Sequence, residues 1–474
     1  MLQRKIMQTL AEWKARQNHY PLIVRGLRQI GKTYTVREFG KQYYKHVVYV
    51  DLRENRGIHR AFEGNFNVNE MVMTITLNDA AATFAPGETL LILDEIQDCP
   101  NARSSLKYWA LDGRYDVIAT GSFLGVRGFR QAYKRGIPVG YEEQITMYPL
   151  TFLEFLTNMN VDPDAVDFVR KQIQNRSTIP QAMHDILRKY YLQYLVVGGM
   201  PEAVNDFLET HDMNQVRRVQ RKILESVRDD FGRYVDASGN DRINESLKLR
   251  AEACLDSLPM QLSKDYKKFQ YSLVRSSGHS PEKAEGLQYL LDMGLVYKSY
   301  NVREISSPLS ANRIDTEFKL FLADTGLLIS MLDEGTAAQV ISGDLSAYKG
   351  AIAENMVASI LKADGCDLYY YHAPSGSPEL DFIYSDDGVA TIIECKSTNN
   401  RATSMKYVLA NPQKYGVHPA VKIADANVGT GDGFVTLPLY ALGFLVNEEK
   451  SFMVEDETAA FNEAYRRIRE SEEK

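Results

Sequence analysis

The stretch IVRGLRQIGKTYTV, residues 23–36, decides the fold of the front part of this 474-residue chain. It fits the pattern G-x-x-x-x-G-K-[ST] through Gly26, Gly31, Lys32 and Thr33, and the strand-like YPLIVR leads into it. Glycines let the backbone wrap around phosphates, while a lysine here reaches the β- and γ-phosphate oxygens. The spacing therefore predicts an ATP-binding P-loop, with Thr33 as a ligand of Mg²⁺.

A second strand carries the acidic partner of this loop. Residues 89–98, TLLILDEIQD, contain a buried-type run that ends in Asp94 and Glu95. In a Walker B strand the first acid holds Mg²⁺ through water, and the second orients or deprotonates the attacking water. The pair predicts ATP hydrolysis, and a solvated strand end is the alternative.

A third buried-type strand lies in YDVIATGS, residues 115–122. It delivers Thr120 and Ser122 to its C-terminal end, where a polar side chain can sense the γ-phosphate. We therefore add Ser122 to the candidate catalytic residues. A simple Gly/Ser turn would explain the same pattern.

Four motifs, GLRQIGKT, LLILDEIQ, ATGSFLGV and ITMYPLTFLEFL, together resemble the AAA-type ATPases of a large prokaryotic ATP-binding family. The similarity continues through YLVVGGMPEAV, DMGLVYK, FKLFLADTGLL and GAIAEN, and so spans nearly the whole chain. It implies an ATPase core, a helical lid and a C-terminal region of unknown function. It also implies a homo-oligomer in which a neighbouring subunit lends an arginine to the ATP site. The candidates are Arg103, Arg114, Arg127, Arg130 and Arg135.

The middle of the chain is predicted to be mostly helical. Gly198, Gly199 and Pro201 indicate a turn between two helices, and the charges of ESVRDDFGRY, residues 225–234, favour a solvated face over a contact to nucleotide or a neighbour. Farther on, two helices and the strands of LVYKSYNV and EFKLFLAD resemble a winged helix. The residues before its second helix suit either contact to nucleic-acid phosphates or a structural role: Lys264, Lys267, Lys268 and Arg275 among Tyr266, Phe269 and Tyr271.

The last region holds a second group of charged residues. SPELDFIYSDDGVATIIECKS, residues 377–397, indicates a hairpin with Asp381 on one strand and Glu394 and Lys396 on the other. Residues two apart on a strand point to the same face, so Asp381 can converge with the other two. Two carboxylates that hold Mg²⁺ or Mn²⁺ beside a lysine form a phosphodiesterase site. A cross-strand ion pair is the alternative.

This arrangement, with Glu354 on a preceding helix, resembles the PD-(D/E)xK nuclease superfamily, although ELD stands where PD is expected. The resemblance implies a restriction-endonuclease-like α/β fold and a metal held by Asp381, Glu394 and Glu354. Cys395 is expected to be a buried small hydrophobe on the other face of the sheet. A structural role is expected for His372.

Composition limits the class of protein. The formal net charge of −7 argues against nonspecific coating of nucleic acid but allows a local basic patch. The four cysteines show no CxxC pair, which fits a reducing cytoplasm. The N-terminal MLQRKIMQTLAEWKARQ suits an amphipathic helix rather than a signal peptide, and no apolar stretch is long enough to span a membrane.

The predicted fold class is α/β, in four parts. Residues 1–155 form the AAA-type P-loop ATPase core, 156–240 the helical lid, 241–335 the winged-helix-like domain and 336–474 the nuclease-like domain. The predicted function is ATP hydrolysis that gates action on DNA or RNA. One alternative is a nucleotide-dependent switch or scaffold whose C-terminal domain binds nucleic acid or protein without cleaving. Another is an assembly ATPase that acts on proteins.

Overall fold

A computed structural model describes residues 2–122, 140–235, 241–264, 267–276, 279–343, 348–386, 388–396, 401–431 and 433–445. In these ranges no helix has the length and apolar character needed to cross a membrane. The predicted N-terminal amphipathic helix is present as α1, Ile6–Ala15, and buries Leu10 and Trp13.

The front part is built around a five-stranded sheet in the order β2-β3-β4-β1-β5, and every neighbouring pair is parallel. Parallel strands place their carboxyl ends at one edge, where ligands bind in open α/β sheets. The strands that we predicted after residues 20, 89 and 115 are confirmed. The five strands are β1 (Leu22–Arg25), β2 (His46–Asp51), β3 (Thr89–Asp94), β4 (Asp116–Gly121) and β5 (Glu143–Thr146).

Both faces of this sheet are buried. Along β3, Leu90 and Ile92 join one hydrophobic core while Leu91 and Leu93 join another, as the alternation of a strand requires. A strand covered on both sides has a continuous apolar sequence, which is why LLIL could be recognised. The covering helices are α2 (Lys32–Tyr43), α3 (Val68–Asn78) and α4 (Pro100–Asp112), with short 3₁₀ turns at Arg56–Phe62 and Ile96–Asp98.

A helical segment follows the sheet, as predicted. The turn through Gly198 and Gly199 is confirmed, because one helix ends at Val197 and the next begins at Pro201. The segment shares a single core with the front sheet and the C-terminal region. Its helices are α5 (Phe152–Asn158), α6 (Pro163–Gln174), α7 (Gln181–Val197), α8 (Pro201–Thr210) and α9 (Met213–Asp229).

The next part contains the two predicted helices, α10 (Glu245–Leu262) and α11 (Ser280–Asp292), and the two predicted strands, β8 (Val296–Val302) and β9 (Arg313–Leu322). Before them, β6 (Arg233–Val235) pairs with β7 (Asp241–Ile243). The strands β8 and β9 pair antiparallel, but β8 also pairs in parallel with a strand of the C-terminal region. They are therefore the end of a larger sheet and not a separate wing.

This pairing extends one sheet across the predicted boundary at residues 335 and 336. The physical reason is that β8 has a second edge of backbone N–H and C=O groups, and such groups need partners when they are buried. The sheet has eight strands in the order β14-β15-β13-β12-β11-β10-β8-β9. Its other strands are β10 (Leu368–His372), β11 (Glu379–Asp386), β12 (Val389–Lys396), β13 (Ala420–Ala424), β14 (Gly429–Gly431) and β15 (Phe434–Pro438).

The predicted hairpin is confirmed, since β11 and β12 pair antiparallel. Asp387, in its turn, lies outside the described residues. Ile393 and Cys395 face the core that α14 joins, whereas Ile392 faces a smaller core. The remaining helices are α12 (Thr325–Ser330), α13 (Thr336–Ser342), α14 (Lys349–Ala363), α15 (Thr403–Leu409), α16 (Pro412–Tyr415) and α17 (Leu442–Leu445).

Candidate functional site

The loop between β1 and α2 has the backbone that the P-loop pattern predicts. Gly26 has φ +153°, and a Cβ built on it would lie 2.2 Å from the Met147 carbonyl oxygen, so only glycine fits. Gly31 has φ +86° and caps the N-terminus of α2. The N–H groups of the first helical turn have no partners within the helix, and they make a site for anions such as phosphate.

Lys32 is already held in place within this loop. Its Nζ donates to the Gly26 carbonyl at 3.0 Å, the Leu27 carbonyl at 2.8 Å and the Ser122 hydroxyl at 2.8 Å. Burial lowers the pKa of Lys32 to about 8, against the opposing effects of Glu95 and Asp94. Lys32 and Ser122, two of the predicted site residues, are therefore joined by a direct hydrogen bond.

Asp94 lies at the carboxyl end of β3 and accepts hydrogen bonds from hydroxyl groups on several elements. Thr33 donates to its two carboxylate oxygens at 2.9 and 3.0 Å, and Tyr49 donates at 2.8 Å. Thr120 also donates to Asp94. We did not predict Tyr49, although its place two residues before the end of β2, beside β3, is a signal for it.

Glu95 follows directly and has a left-handed backbone, with φ +51°. Such a conformation costs free energy in a non-glycine residue and tends to persist at functional sites. Burial raises the pKa of Glu95, while Lys32 opposes the shift. The Gln97 side chain donates to the Glu95 carboxylate and fixes its direction.

The charged segment at the end of α9 is a solvated face in part, since Glu225 and Asp229 are exposed, but Asp230 departs from that expectation. Asp230 is buried and pairs with Arg28 of the P-loop and, at 3.2 Å, with Arg233. Gln29 of the loop also donates to Ser226 on α9 at 2.9 Å. The helical segment therefore touches the phosphate loop directly.

Two of the candidate arginines for a neighbouring ATP site are engaged within their own chain. Arg103 is buried and binds Glu142 through two nitrogens, at 2.5 and 3.1 Å. Arg114 binds Asp112 at 2.7 and 2.8 Å. The other three candidates, Arg127, Arg130 and Arg135, lie outside the described residues.

The C-terminal site brings Asp381, Glu394 and Lys396 together. The Lys396 ammonium lies 2.6 Å from Glu394 Oε1 and 3.8 Å from Asp381 Oδ2. The Cys395 backbone N–H donates to Asp381 at 2.9 Å and locks the acid onto β12. Burial and the neighbouring Asp381 raise the pKa of Glu394. Burial alone would lower the pKa of Lys396, but Asp381 and Glu394 outweigh it and raise the pKa.

Glu354, the third predicted metal ligand, is turned to a different partner. Its Oε1 binds the Lys267 ammonium, while its Oε2 is buried without a hydrogen-bond partner among the described residues. Glu394 Oε2 is also buried without a hydrogen-bond partner among the described residues. Within the described residues no three His, Cys, Asp or Glu side chains form a group that could hold a metal ion. The structure thus brings together the Asp381 and Glu394 pair, but not the full predicted ligand set.

The sequence did not predict two of the lysines that pair with acids in this region. Lys267 binds Glu354, and the fully buried Lys319 binds Glu379 at 2.8 Å. Lys268 pairs with Glu317 at 2.8 Å and Phe269 is buried, whereas Tyr266 lies outside the described residues. The predicted basic surface therefore turns two of its lysines towards acids of the same chain. Arg275 is exposed and Lys264 contacts Gln270 at 3.4 Å.

Cys395 is buried in the core on the other face of the sheet, as expected. His372 ends β10, and its backbone N–H donates to the Asn301 side chain at 3.0 Å. This bond is made by the main chain, so the structural role of the His372 side chain stays a prediction.

The turn at Gly198 and Gly199 connects the two sites. A Cβ built on Gly31 would lie 3.7 Å from Pro201, just after this turn. The Gly199 N–H donates to buried Asp324 at 2.6 Å, and Asp324 caps α12 through the Leu327 N–H at 2.8 Å.

The link continues from the start of α12 to α14. The Asn355 side chain donates to the Thr325 hydroxyl at 3.2 Å and accepts the Leu322 N–H at 2.7 Å. Asn355 is the neighbour of Glu354 on α14. A continuous series of packed residues therefore joins the P-loop to the helix beside the acidic site.

The family comparisons agree with the front site. Residues 18–156 match the family model of the AAA domain. Residues 188–338 and 349–442 match two domains of unknown function, DUF8612 and DUF4143. The front domain is therefore similar to the AAA domain and has a P-loop site, which implies nucleotide binding. Among the curated proteins none matches the sequence.

Several solved structures are similar at low identity. The Aeropyrum pernix ORC2 protein, in ADPNP–ADP complexes, is 12% identical with a TM-score of 0.34, over 73% of this chain and 94% of that one. ORC1 of the same organism, in complex with DNA, is 13% identical with a TM-score of 0.26, over 71% and 91%. The Thermotoga maritima RuvB Holliday junction branch migration motor is 12% identical with a TM-score of 0.29, over 63% and 90%. Scores this low carry no argument, so the AAA assignment rests on the family model and the site.

Proposed function

We propose that this protein hydrolyses ATP at the front site and uses the nucleotide state to govern action on DNA or RNA at the C-terminal site. The observation that carries the first half is the meeting of three motifs. Lys32 donates to Ser122, and Thr33 donates to Asp94, so the P-loop, the Walker B strand and the sensor strand converge. A chance P-loop pattern would not bring these side chains together.

The residues of the front site fit Mg²⁺ as well as ATP. A hydroxyl and a carboxylate are the oxygen donors that Mg²⁺ prefers, and here Thr33 and Asp94 lie within 3.0 Å of each other. When bound, the ion neutralises negative charge on the phosphates. Lys32 binds the β- and γ-phosphates, Glu95 orients the attacking water, and Ser122 senses the γ-phosphate.

At the C-terminal site, Asp381 and Glu394 would hold Mg²⁺ or Mn²⁺. The buried Glu394 Oε2 without a hydrogen-bond partner is an oxygen that suits such an ion. A metal there supplies a more acidic bound water and offsets charge on a phosphodiester. Lys396 stands beside both acids and neutralises charge as it develops. The proposal includes a homo-oligomer in the cytoplasm.

A second candidate is nucleic-acid binding without cleavage. The observation that favours it is the pairing of the acids with Lys267, Lys319 and Lys396. These ammonium groups supply the positive charge that a bound metal ion would otherwise supply. In this form the nucleotide state would control binding alone.

The experiment that tests the proposal is steady-state ATP turnover by the full chain, with and without DNA or RNA. The variant Glu95→Gln should keep ATP binding but lose about 10²-fold or more in turnover, since it removes the group that orients water. The exposed Glu12→Gln on α1 is the matched control. Nucleic acid should change the rate. Equal turnover by Glu95→Gln and wild type would exclude this ATP site, and indifference to DNA and RNA would exclude the coupling.

A further inference from the structure

The loop residues Arg28 and Gln29 occupy positions that the P-loop pattern leaves unspecified. Both side chains are directed at the end of one helix. Arg28 pairs with Asp230, the residue after α9, and Gln29 donates to Ser226 on α9 at 2.9 Å. Ser226 and Asp230 are four positions apart, so they lie on the same side of this last turn. Two consecutive loop side chains are therefore held by one turn of the helical segment.

The Arg28 side chain also lies towards the residues that we place at the γ-phosphate. Burial lowers the pKa of Arg28, and the charge of Glu95 opposes that shift. Burial is also the main cause that lowers the pKa of Lys32, and the positive charge of Arg28 adds to it. Charge effects of this kind weaken with distance. The Arg28 guanidinium thus stands between Asp230 on one side and Glu95 and Lys32 on the other.

Asp230 can release Arg28 and still keep a positive partner. Its side chain is only 5% exposed, and a buried carboxylate without a cation is costly. Arg233 pairs with Asp230 at 3.2 Å, and Arg53 lies 3.9 Å from it. The Tyr289 hydroxyl donates to the Asp230 carbonyl at 2.8 Å and holds its main chain. The acid therefore stays in place while Arg28, whose side chain is 26% exposed, can turn.

The same helix continues this contact towards the C-terminal region. Gln220, buried on α9, donates to the Val196 carbonyl at 2.7 Å and to the Val197 carbonyl at 2.9 Å, at the end of α7. A Cβ built on Gly326 of α12 would lie 2.6 Å from Gln220 Nε2, so α9 and α12 pack too closely there for a side chain. A change at Asp230 can therefore reach the helix that leads to α14.

We propose that Arg28 binds the γ-phosphate of ATP and that Asp230 is the positioning residue that controls it. The γ-phosphate competes with Asp230 for the Arg28 guanidinium, and ADP, which lacks that group, does not. ATP therefore loosens the loop from α9, whereas ADP leaves the pair intact. The inference rests on the proposed ATP hydrolysis, and it names the contacts by which the helical segment distinguishes the two nucleotides.

The test is isothermal titration calorimetry of the full chain, in Mg²⁺, with ADP and with the non-hydrolysable β,γ-imido analogue of ATP. In Arg28→Gln the preference for the ATP analogue over ADP should fall about tenfold or more, since a charge-assisted contact to the γ-phosphate is lost. Arg28→Lys, which keeps the charge, should restore part of that preference. Arg228→Gln is the matched control and should match wild type, because it breaks the pair of α9 with the exposed Asp256 instead.

Asp230→Asn should have an effect of the opposite sign. Removal of the competing carboxylate should raise the preference for the ATP analogue about fivefold. In the double variant Arg28→Gln/Asp230→Asn the ratio of affinities should equal that of Arg28→Gln alone, because Asp230 acts through Arg28. A merely structural role would instead lower the affinities for both nucleotides together.

Hydrogen exchange of the wild-type chain gives a readout that does not depend on how well a variant folds. The peptide that covers Ser226 and Asp230 should exchange faster with the ATP analogue than with ADP. Equal exchange with the two nucleotides, an unchanged affinity ratio in Arg28→Gln, or a parallel loss of both affinities in Asp230→Asn overturns the inference while nucleotide binding stands. Wild type that binds neither nucleotide overturns the proposed ATP site and the inference with it, so the two failures are distinguishable.

Discussion

The ATP site and the C-terminal acidic site both bury carboxylates beside lysines, but they satisfy those carboxylates in different ways. Asp94 accepts hydrogen bonds from the uncharged hydroxyl groups of Thr33 and Tyr49. Glu354 and Glu394 instead bind the ammonium groups of Lys267 and Lys396.

Neutral donors orient an acid and leave its negative charge available to a cation, whereas an ammonium group cancels that charge. Under the proposed function, the front site would receive Mg²⁺ together with ATP. At the C-terminal site, a metal of the kind that we propose would have to compete with lysines, and this competition would be a point of control.

Lys32→Ala should abolish measurable ATP turnover, a loss of about 10³-fold or more. The variant removes the ammonium group that would bind the phosphates and that donates to Ser122. Turnover is measured by release of inorganic phosphate. Lys41→Ala, an exposed lysine on the same helix, serves as the control and should stay close to wild type. Comparable turnover in Lys32→Ala and the control would break the assignment of the ATP site.

Lys267→Met should destabilise the C-terminal region by about 3–5 kcal/mol, because it leaves the buried Glu354 without its cation. Lys268→Met is the matched control, since Lys268 and Glu317 are each about 30% exposed and such pairs contribute at most about 1 kcal/mol. Hydrogen exchange of the peptide that covers α14 reports the change locally. Equal protection in the two variants would show that the acids do not depend on lysines.

Asp324 lies between the two sites, and burial raises its pKa from 3.8 to about 6. Between these values the folded state holds a proton that the unfolded state has released, so the free energy of unfolding decreases as pH rises. At pH 7 this titration lowers the free energy of unfolding by about 3 kcal/mol relative to its value at low pH. Relative to Asp324→Asn, which lacks this titration, wild type should therefore be more stable at pH 4 than at pH 7. A difference between the two proteins that does not change with pH would contradict the shift.

Tyr49→Phe should weaken Mg²⁺-ATP binding by about fivefold at most. It removes one neutral donor, worth about 1 kcal/mol, while Thr33 and Thr120 still bond Asp94. Titration with a fluorescent ATP analogue measures the change, and Tyr34→Phe, an exposed tyrosine on α2, is its control. A loss as large as that of Lys32→Ala would show that Asp94 depends on a single partner.

The front site could be predicted from sequence because its motifs are short and local. The glycines, Lys32 and Thr33 lie within eight residues, and Asp94 follows a strand whose apolar run identifies it. The burial of Asp230 could not be predicted from the local charge pattern, because its partner Arg28 belongs to another segment.

The C-terminal site shows where such prediction ends. The hairpin was recognisable because its strands are adjacent in the chain. The Lys267 and Glu354 pair joins residues 87 positions apart, and β8 meets β10 across a similar separation. No local period or spacing encodes such pairings, and they decide both the charge balance of the site and the extent of the sheet.

Cleavage of labelled single- and double-stranded DNA and RNA in Mg²⁺ or Mn²⁺, with and without ATP, probes both proposed sites in one experiment. Wild type is compared with Lys396→Ala and Lys32→Ala. We expect metal-dependent cutting that Lys396→Ala abolishes and that responds to ATP only when Lys32 is present. Bound but uncut nucleic acid in every condition would contradict this expectation and would leave a nucleotide-dependent binding protein.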